Sequence, residues 1–430
     1  MKTFFKIILT GIFIFGFNES KANTLLESLK SAYLNNSKLN AERASMRASI
    51  EEKREAVSEF LPNVTVSGYD SEIENTNPLG EDDTNFRPSE QSILIEQKIF
   101  QGFGGVANLQ KKREGQKLAK FKLKRIEQET LLEASKVHTE LFLNIKKVNI
   151  NLSNVELLER QVETDQNRLE KGEISLTDLA QSEASLAGAI AQLIATKNDL
   201  ITSKANFEKI IGKKLLEESI KSSLESNLKL PESLASAYKI SNSENPDLQI
   251  AFLEYEQSKL DVTIAASELS PSATLSYERA EQDNISSTIQ ERTQETVKAT
   301  ASWPIFAGGK NTFSLRKFKE IRNQKELLFE EEKKSTKAKV TNAWSTYQSS
   351  KSVLDSTRSQ VKAAEIANEG ITLEYESGTS RTTLEVIQSR TILLNSRINL
   401  ATSQRNFLIS QFDLLGSVGR LTSKQLGLKE

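Results

Sequence analysis

The sequence predicts a mainly α-helical chain with a small β part, built from two copies of one large module. Three observations predict it: an internal repeat, a seven-residue apolar period, and short zones of alternating polarity. The repeat is read from order. Ser31-Ala32-Tyr33 recurs as Ser236-Ala237-Tyr238, Leu61-Pro62 as Ser270-Pro271, Ile99-Phe100 with its glycines as Ile305-Phe306-Ala307-Gly308-Gly309, and Gly172 as Gly378. The offset drifts only between 205 and 209 residues. A unit this long exceeds the roughly 20 to 50 residues of a solenoid repeat, so it describes two large modules lying side by side.

Helices follow from composition and period. Prolines at 62, 78, 88, 231, 246, 271 and 304 leave 89–230 and 305–430 free of them, and those stretches are rich in Ala, Leu, Glu, Lys and Gln. Leu179, Leu186, Leu193, Leu200 and Phe207 fall every seven residues, and Val386, Leu393, Leu400, Phe407 and Leu414 answer them in the second copy. A strict seven-residue period packs helices side by side in a left-handed supercoil. The preceding stretches, 105–170 and 309–376, read as still longer helices interrupted only by isolated glycines such as Gly115 and Gly370. Each would reach about 100 Å if continuous, far beyond a globular helix, so the architecture is a bundle.

Strands show as a period of two. Ala273, Leu275 and Tyr277 alternate with Thr274, Ser276 and Glu278; Val297, Ala299, Ala301 and Trp303 alternate with Thr296, Lys298, Thr300 and Ser302. The first copy repeats this with Val64, Val66 and Gly68 against Thr65, Ser67 and Tyr69, and with Ile93, Ile95 and Ile99 against Ser92, Glu96 and Lys98. One hairpin is therefore expected per copy, about 62–100 around a polar loop at 70–90, and about 271–305.

Residues 1–22 read as a secretory signal: Lys2 and Lys6, an apolar run from Ile7 to Phe17, then Ser20-Lys21-Ala22. The first repeat is expected at 23–229, the second at 230–420, and a tail at 421–430. The formal net charge is -1 and no basic block stands out, which argues against nucleic acid. With no cysteine, disulfides, thiolate metal sites and a lipidated N-terminal cysteine are excluded. After the signal no apolar run suits a spanning helix, so an exported chain of this kind enters a membrane only as a β-barrel. The apolar face would then meet lipid, the polar face a lumen, with Trp303 near a boundary. Four strands cannot close around a channel, and unpaired backbone in lipid costs several kcal/mol per group. Three chains would supply 12 strands and gather the helices into a hollow, nearly sixfold cylinder.

These residues resemble the TolC family of outer-membrane efflux and secretion ducts. The likeness covers roughly residues 23–420 and is carried by Leu61-Pro62, by Trp303-Pro304-Ile305-Phe306-Ala307-Gly308-Gly309, and by the helix turns around Gly172 and Gly378, all in doubled order. It implies a homotrimer with a 12-stranded barrel in the outer membrane of a Gram-negative bacterium and an α-helical tunnel through the periplasm. Its implied partners are outer-membrane lipid, a periplasmic adaptor and an inner-membrane pump, driven by ATP or by protons. Arg168-Leu169-Glu170-Lys171-Gly172 and Tyr375-Glu376-Ser377-Gly378 resemble the Tyr-x-x-Gly tips where such a tunnel narrows, with Leu169 in place of the first tyrosine and Ser380 as an extra residue in the second tip. Thr177-Asp178-Leu179 and Arg381-Thr382-Thr383-Leu384-Glu385-Val386 continue the match, and Gln388 stands where a second aspartate is common. The resemblance suggests a gate in which Asp178 accepts from Tyr375 and Thr177 meets Arg381. Glu385 would form a threefold carboxylate ring; the competing reading is a helix-N-terminal charge near the positive dipole end.

No catalytic constellation is visible, and neither cofactor nor metal is expected. His138, the only histidine, sits in a long helix and reads as a packing residue. Gly102–Gly105 and Gly308-Gly309 lack a following Gly-Lys-Ser/Thr and read as strand-to-helix hinges. The leading expectation is a passive exit duct. Alternatives are a structural coiled-coil envelope protein, which the strands disfavour, or a periplasmic adaptor, which would carry one helical hairpin rather than two.

Overall fold

The structure, a computed structural model, describes residues 24–75, 84–212, 228–286, 289–377 and 381–428. The expected signal segment and Gly378 lie outside the described residues. The first run of elements is α1 (Leu25–Asn35), α2 (Ser37–Ser58), β1 (Asn63–Asp70), β2 (Ile73–Asn75), β3 (Thr84–Phe86), β4 (Ser89–Gln101), α3 (Gly104–Glu170) and α4 (Leu176–Ile211). The second is α5 (Leu234–Glu244), α6 (Pro246–Ser267), β5 (Ser272–Ser286), β6 (Ile289–Ser302), α7 (Lys310–Glu376) and α8 (Thr383–Ser417). Among the described residues no helix is long and apolar enough to cross a membrane.

α3 and α7 are 67 residues each and run unbroken through Gly115 and Gly370. Both start from a left-handed residue, Phe103 (φ 69°) and Gly309 (φ 81°), just after another, Gly102 and Gly308. Gly102 is obligatory there: a Cβ would fall 2.4 Å from the Ser270 Cβ. α2 and α6 also share a start, since Asn36 and Asn245 each accept the amide three residues on.

Long helices α3 and α7 flank shorter ones. α3 packs along α2 and α6 near the sheet and along α4 and α8 farther down; α7 packs along α6 and then α8. The apolar heptads lie inward as expected, and the structure adds their partner series. On α8, Val386, Leu393, Leu400, Phe407 and Leu414 alternate at intervals of three and four with Ser389, Ser396, Ser403 and Ser410, all four serines being buried. α4 does the same with Ser182, Ala189, Thr196 and Ser203. Alternating large and small residues lets helices approach closely, and the hydroxyls are satisfied locally, as when Ser396 donates to the Ile392 carbonyl and Ser403 to that of Asn399.

At one end stands an antiparallel sheet in the order β1-β4-β5-β6. Its registers align Val64, Ile95, Tyr277 and Val297 on one face, with Leu275 opposite Ala299 on that same face. Ser67, Ser92, Ala280 and Gln294 share the other face, where the Ser67 and Ser92 hydroxyls lie 3.0 Å apart. Ile99 is a correction: a bulge between Lys98 and Phe100 shifts the register, so Phe100 rather than Ile99 stands opposite Ala273. The expected polar loop at 70–90 carries a further pair, β2 with β3. Among the described residues no strand pairs with the outer edges of β1 and β6.

Midway along the helices, the core joins Leu29 and Ala32 of α1 to Leu131, Phe207, Ile211 and Phe412. His138 is buried here, its Nδ1 2.9 Å from the Ser28 hydroxyl and its ring against Phe207. Burial holds its pKa down at about 4. The C-terminal residues fold back into this core through Leu421, tied by the Arg420 guanidinium, which donates from Nη2 to Glu244 at 2.6 Å.

Candidate functional site: the helix tips

The end opposite the sheet is formed by the α3–α4 and α7–α8 turns. α3 ends by wrapping its last carbonyls: Gly172 (φ 73°) donates to Leu169 and Glu173 to Arg168, both at 2.9 Å. α4 then begins with a capping box, Ser175 bonding the Asp178 amide while the Asp178 carboxylate returns to the Ser175 amide at 3.0 Å. α8 repeats the device with Thr382 and Glu385, the carboxylate accepting from the Thr382 amide at 2.8 Å. Both carboxyls sit below their ordinary range, Asp178 chiefly through the Ser175 hydroxyl and Glu385 chiefly through the Thr382 amide.

These boxes correct two expected links. Asp178 occupies the third position of α4, so its carboxylate turns back to its own cap and does not receive Tyr375. Arg381 does not meet Thr177; it is held in its own tip by Glu374 at 2.6 Å and Glu385 at 3.0 Å. Thr177 is exposed on the first turn of α4 and Gln388 on the second turn of α8.

Tyr375 instead reaches inward. Its hydroxyl donates to Asp165 Oδ1 at 2.8 Å and, having one proton, accepts from Thr383 at 3.1 Å. Asp165 is 0 % exposed and collects two more donors, Gln161 Nε2 at 2.9 Å and the Ser182 hydroxyl at 2.5 Å. The Arg168 guanidinium lies over the Tyr375 ring, 4.6 Å from its centroid. Burial pushes the Tyr375 phenol above its ordinary range, which keeps it a donor. One carboxylate thus joins α3, α4 and α7, and the tyrosine extends the knot to α8.

Sequence reading names Thr383 only as part of the second tip's match and does not single out Asp165 or Ser182, yet a signal exists. Asn144, Asn151, Leu158 and Asp165 recur every seven residues on the buried face of α3, so a carboxylate stands in a core position. A buried carboxylate requires donors. Among the described residues no His, Cys, Asp and Glu cluster could hold a metal.

The sequence profile of the family described as Outer membrane efflux protein matches residues 28–213 and again 237–420, once per repeat. The outer membrane efflux protein BepC of Brucella suis is 26 % identical over 98 % of this chain and 91 % of its own, and the outer membrane protein TolC of Escherichia coli is 22 % identical over 97 % and 87 %. Among solved structures, the CmeC outer membrane channel of Campylobacter jejuni superposes with a TM-score of 0.83 at 14 % identity, covering 94 % of this chain and 90 % of that one. The outer membrane protein VceC of Vibrio cholerae gives 0.79 at 15 %, covering 92 % and 96 %. With its doubled hairpins, paired helix tips and twice-matched profile, the chain belongs to the outer membrane efflux protein family.

Proposed function

We propose that the protein is the outer-membrane exit duct of an export system, a passive channel rather than an enzyme, assembled from three copies. The observation that carries this is a four-stranded sheet with one apolar face and two open edges, standing on helices about 100 Å long. An open edge invites pairing with another strand, and lipid leaves no water to satisfy it otherwise. Three copies supply twelve strands. The helical flanks are complementary in kind: α4 exposes Ile190, Ile194 and Ile201, and α7 exposes Leu327, Leu328 and Ile366. Joined around a threefold axis, these flanks bury one another and enclose a tunnel that spans the periplasm. Cargo would be delivered by an inner-membrane pump through a periplasmic adaptor, as the TolC resemblance implies.

The tips are the gate of this duct. Closed, each chain holds its second tip against its first through the Tyr375–Asp165 bond, and opening requires that α7 and α8 swing away from α3. The test combines native mass spectrometry in detergent with conductance in a planar bilayer. A trimer is expected, and Tyr375→Phe, which removes the donor without changing the ring, is expected to raise conductance several-fold. A water-soluble monomer would sink the duct; an assembled trimer with unchanged conductance would remove only the gate.

A further inference from the structure

We infer that the first turns of α3 and α7 form a docking collar for anionic phospholipid headgroups, on the periplasmic side of the membrane the sheet enters. The inference rests on the outer-membrane reading above and adds a lipid class to it. On α3 the outward direction is fixed by continuity. Phe100 stands in register with Ala273 on the apolar sheet face, and the Phe103 ring meets it edge-on at 5.5 Å. From Phe103 an exposed stripe descends at intervals of three and four residues through Val106, Gln110, Arg113, Lys117 and Lys120. One surface therefore passes from apolar to aromatic to basic, the order of a membrane boundary.

α7 repeats the pattern. Trp303, Phe306 and Phe313 are exposed at its start, and Lys310, Arg316, Lys317 and Lys319 follow, all exposed. None of these four cations has a carboxylate within ion-pair distance among the described residues; Arg316 and Lys317 rest against Phe313 and Phe318 instead. Farther from the sheet several cations of α7 are paired, Lys325 with Glu254, Lys333 with Glu330 and Lys339 with Glu332, and the unpaired ones are spread along the rest of the helix. On α7 unpaired positive charge is thus densest next to the sheet; on α3 the unpaired cations of the stripe, among the described residues, are Arg113 and Lys120, while Lys117 is paired with Glu114. Each cluster is too short to register as a basic block in sequence, but the duplication sets both at one height, Arg113 of α3 matching Lys319 of α7.

Geometry favours lipid over a deeper periplasmic polymer. Helical side chains lean toward the N-terminus, which for α3 and α7 is the sheet end, so these cations reach back toward the membrane. Lys310 to Lys319 span about 14 Å of helix, comparable to a headgroup layer of about 6 Å plus one Debye length of about 8 Å. The positive ends of both helix dipoles point the same way.

Trp303 provides the readout, since Trp344 is the only other tryptophan. A Trp344→Phe background, assembled in phosphatidylcholine vesicles, receives a minor fraction of brominated phosphatidylglycerol or of brominated phosphatidylcholine. Quenching of Trp303 is expected to be about two- to threefold stronger with the anionic lipid at low salt, falling toward parity at high salt. Replacing Arg113, Arg316, Lys317 and Lys319 together by Gln should abolish the preference, and exchanging Arg and Lys at these positions should keep it. Equal quenching by the two lipids overturns the inference, as does a preference that survives the Gln set. Loss of the preference on adding soluble peptidoglycan fragments would reassign the collar to that polymer. No quenching by either lipid would take Trp303 away from the bilayer, and the membrane reading would fall with it.

Discussion

Helices α3 and α7 have the same length and descend from the same duplicated module, yet twenty residues of α3 are buried against six of α7. The difference lies in position. α3 is central in the chain, with α2 and α4 on one side and α6 and α8 on the other; α7 closes the row and has neighbours on one side only. The apolar residues that α7 leaves exposed, Leu327 and Ile366 among them, are those that the proposed assembly would cover. The surroundings of α3 lie within one chain, and it carries buried polar groups. Asp165 and His138 are both on α3. Their counterparts on α7, one repeat away, are Ile371 and Trp344.

The sharpest way to break this comparison is at Asp165. Replacing it by Leu, an apolar residue as Ile371 is at the matching place on α7, takes that acceptor from Tyr375, Ser182 and Gln161. A loss on the order of 3–5 kcal/mol is expected in urea unfolding, together with a larger conductance. Ile371→Asp, the reverse exchange on α7, should not create a second lock, since Leu169 stands where a donor tyrosine would be needed. A stable Asp165→Leu protein that remains closed would show that the knot is incidental.

Why this was only half legible follows from period and partner. Ten large heptad residues on α4 and α8 announced the packing, and the strand faces followed from alternation, because period is a property of one segment. Hydrogen-bond partners are properties of two. The sequence reading pairs Tyr375 with Asp178, a carboxylate just beyond the first turn, whereas the helix turns Asp178 back upon Ser175 and leaves Asp165, two turns above Gly172, as the inward acceptor. The serine series of α8 was equally written in the sequence; small residues are easy to pass over where large ones define the stripe. Ile99 was misplaced because a bulge leaves no mark in alternation.

A second contrast concerns His138, 3 % exposed and held neutral with its pKa near 4, where α7 has Trp344. Unfolding releases it to about 6.5, so protons bind the unfolded chain more tightly. The stability it contributes is complete above pH about 6.5 and is lost as pH falls toward about 4, at most about 3 kcal/mol over the window. Thermal unfolding in detergent, followed by circular dichroism across that range, should show the loss, and His138→Gln should flatten it. An unchanged slope in the variant would move the acid sensitivity to other groups.

The smallest expected effect is at the caps, where the two copies are most alike. Ser175→Ala and Thr382→Ala each remove one hydroxyl from the same kind of capping box, so amide exchange in the first turns of α4 and α8 should quicken by about the same factor, roughly two- to tenfold. Their carboxylates differ in one respect: Glu385 also accepts from Arg381, whereas Asp178 bonds only its own cap. A charge ring at the mouth would need Glu385 to present its charge to passing ions, but the guanidinium beside it offsets that charge. Glu385→Gln keeps the side-chain length and an oxygen for the Thr382 amide. The ratio of cation to anion permeability is therefore expected to stay within about twofold of the unmodified duct, since exposed charges this close to an opposite charge are largely screened. A larger loss of cation preference in Glu385→Gln than in Asp178→Asn would restore the ring, and would locate it in the second copy alone.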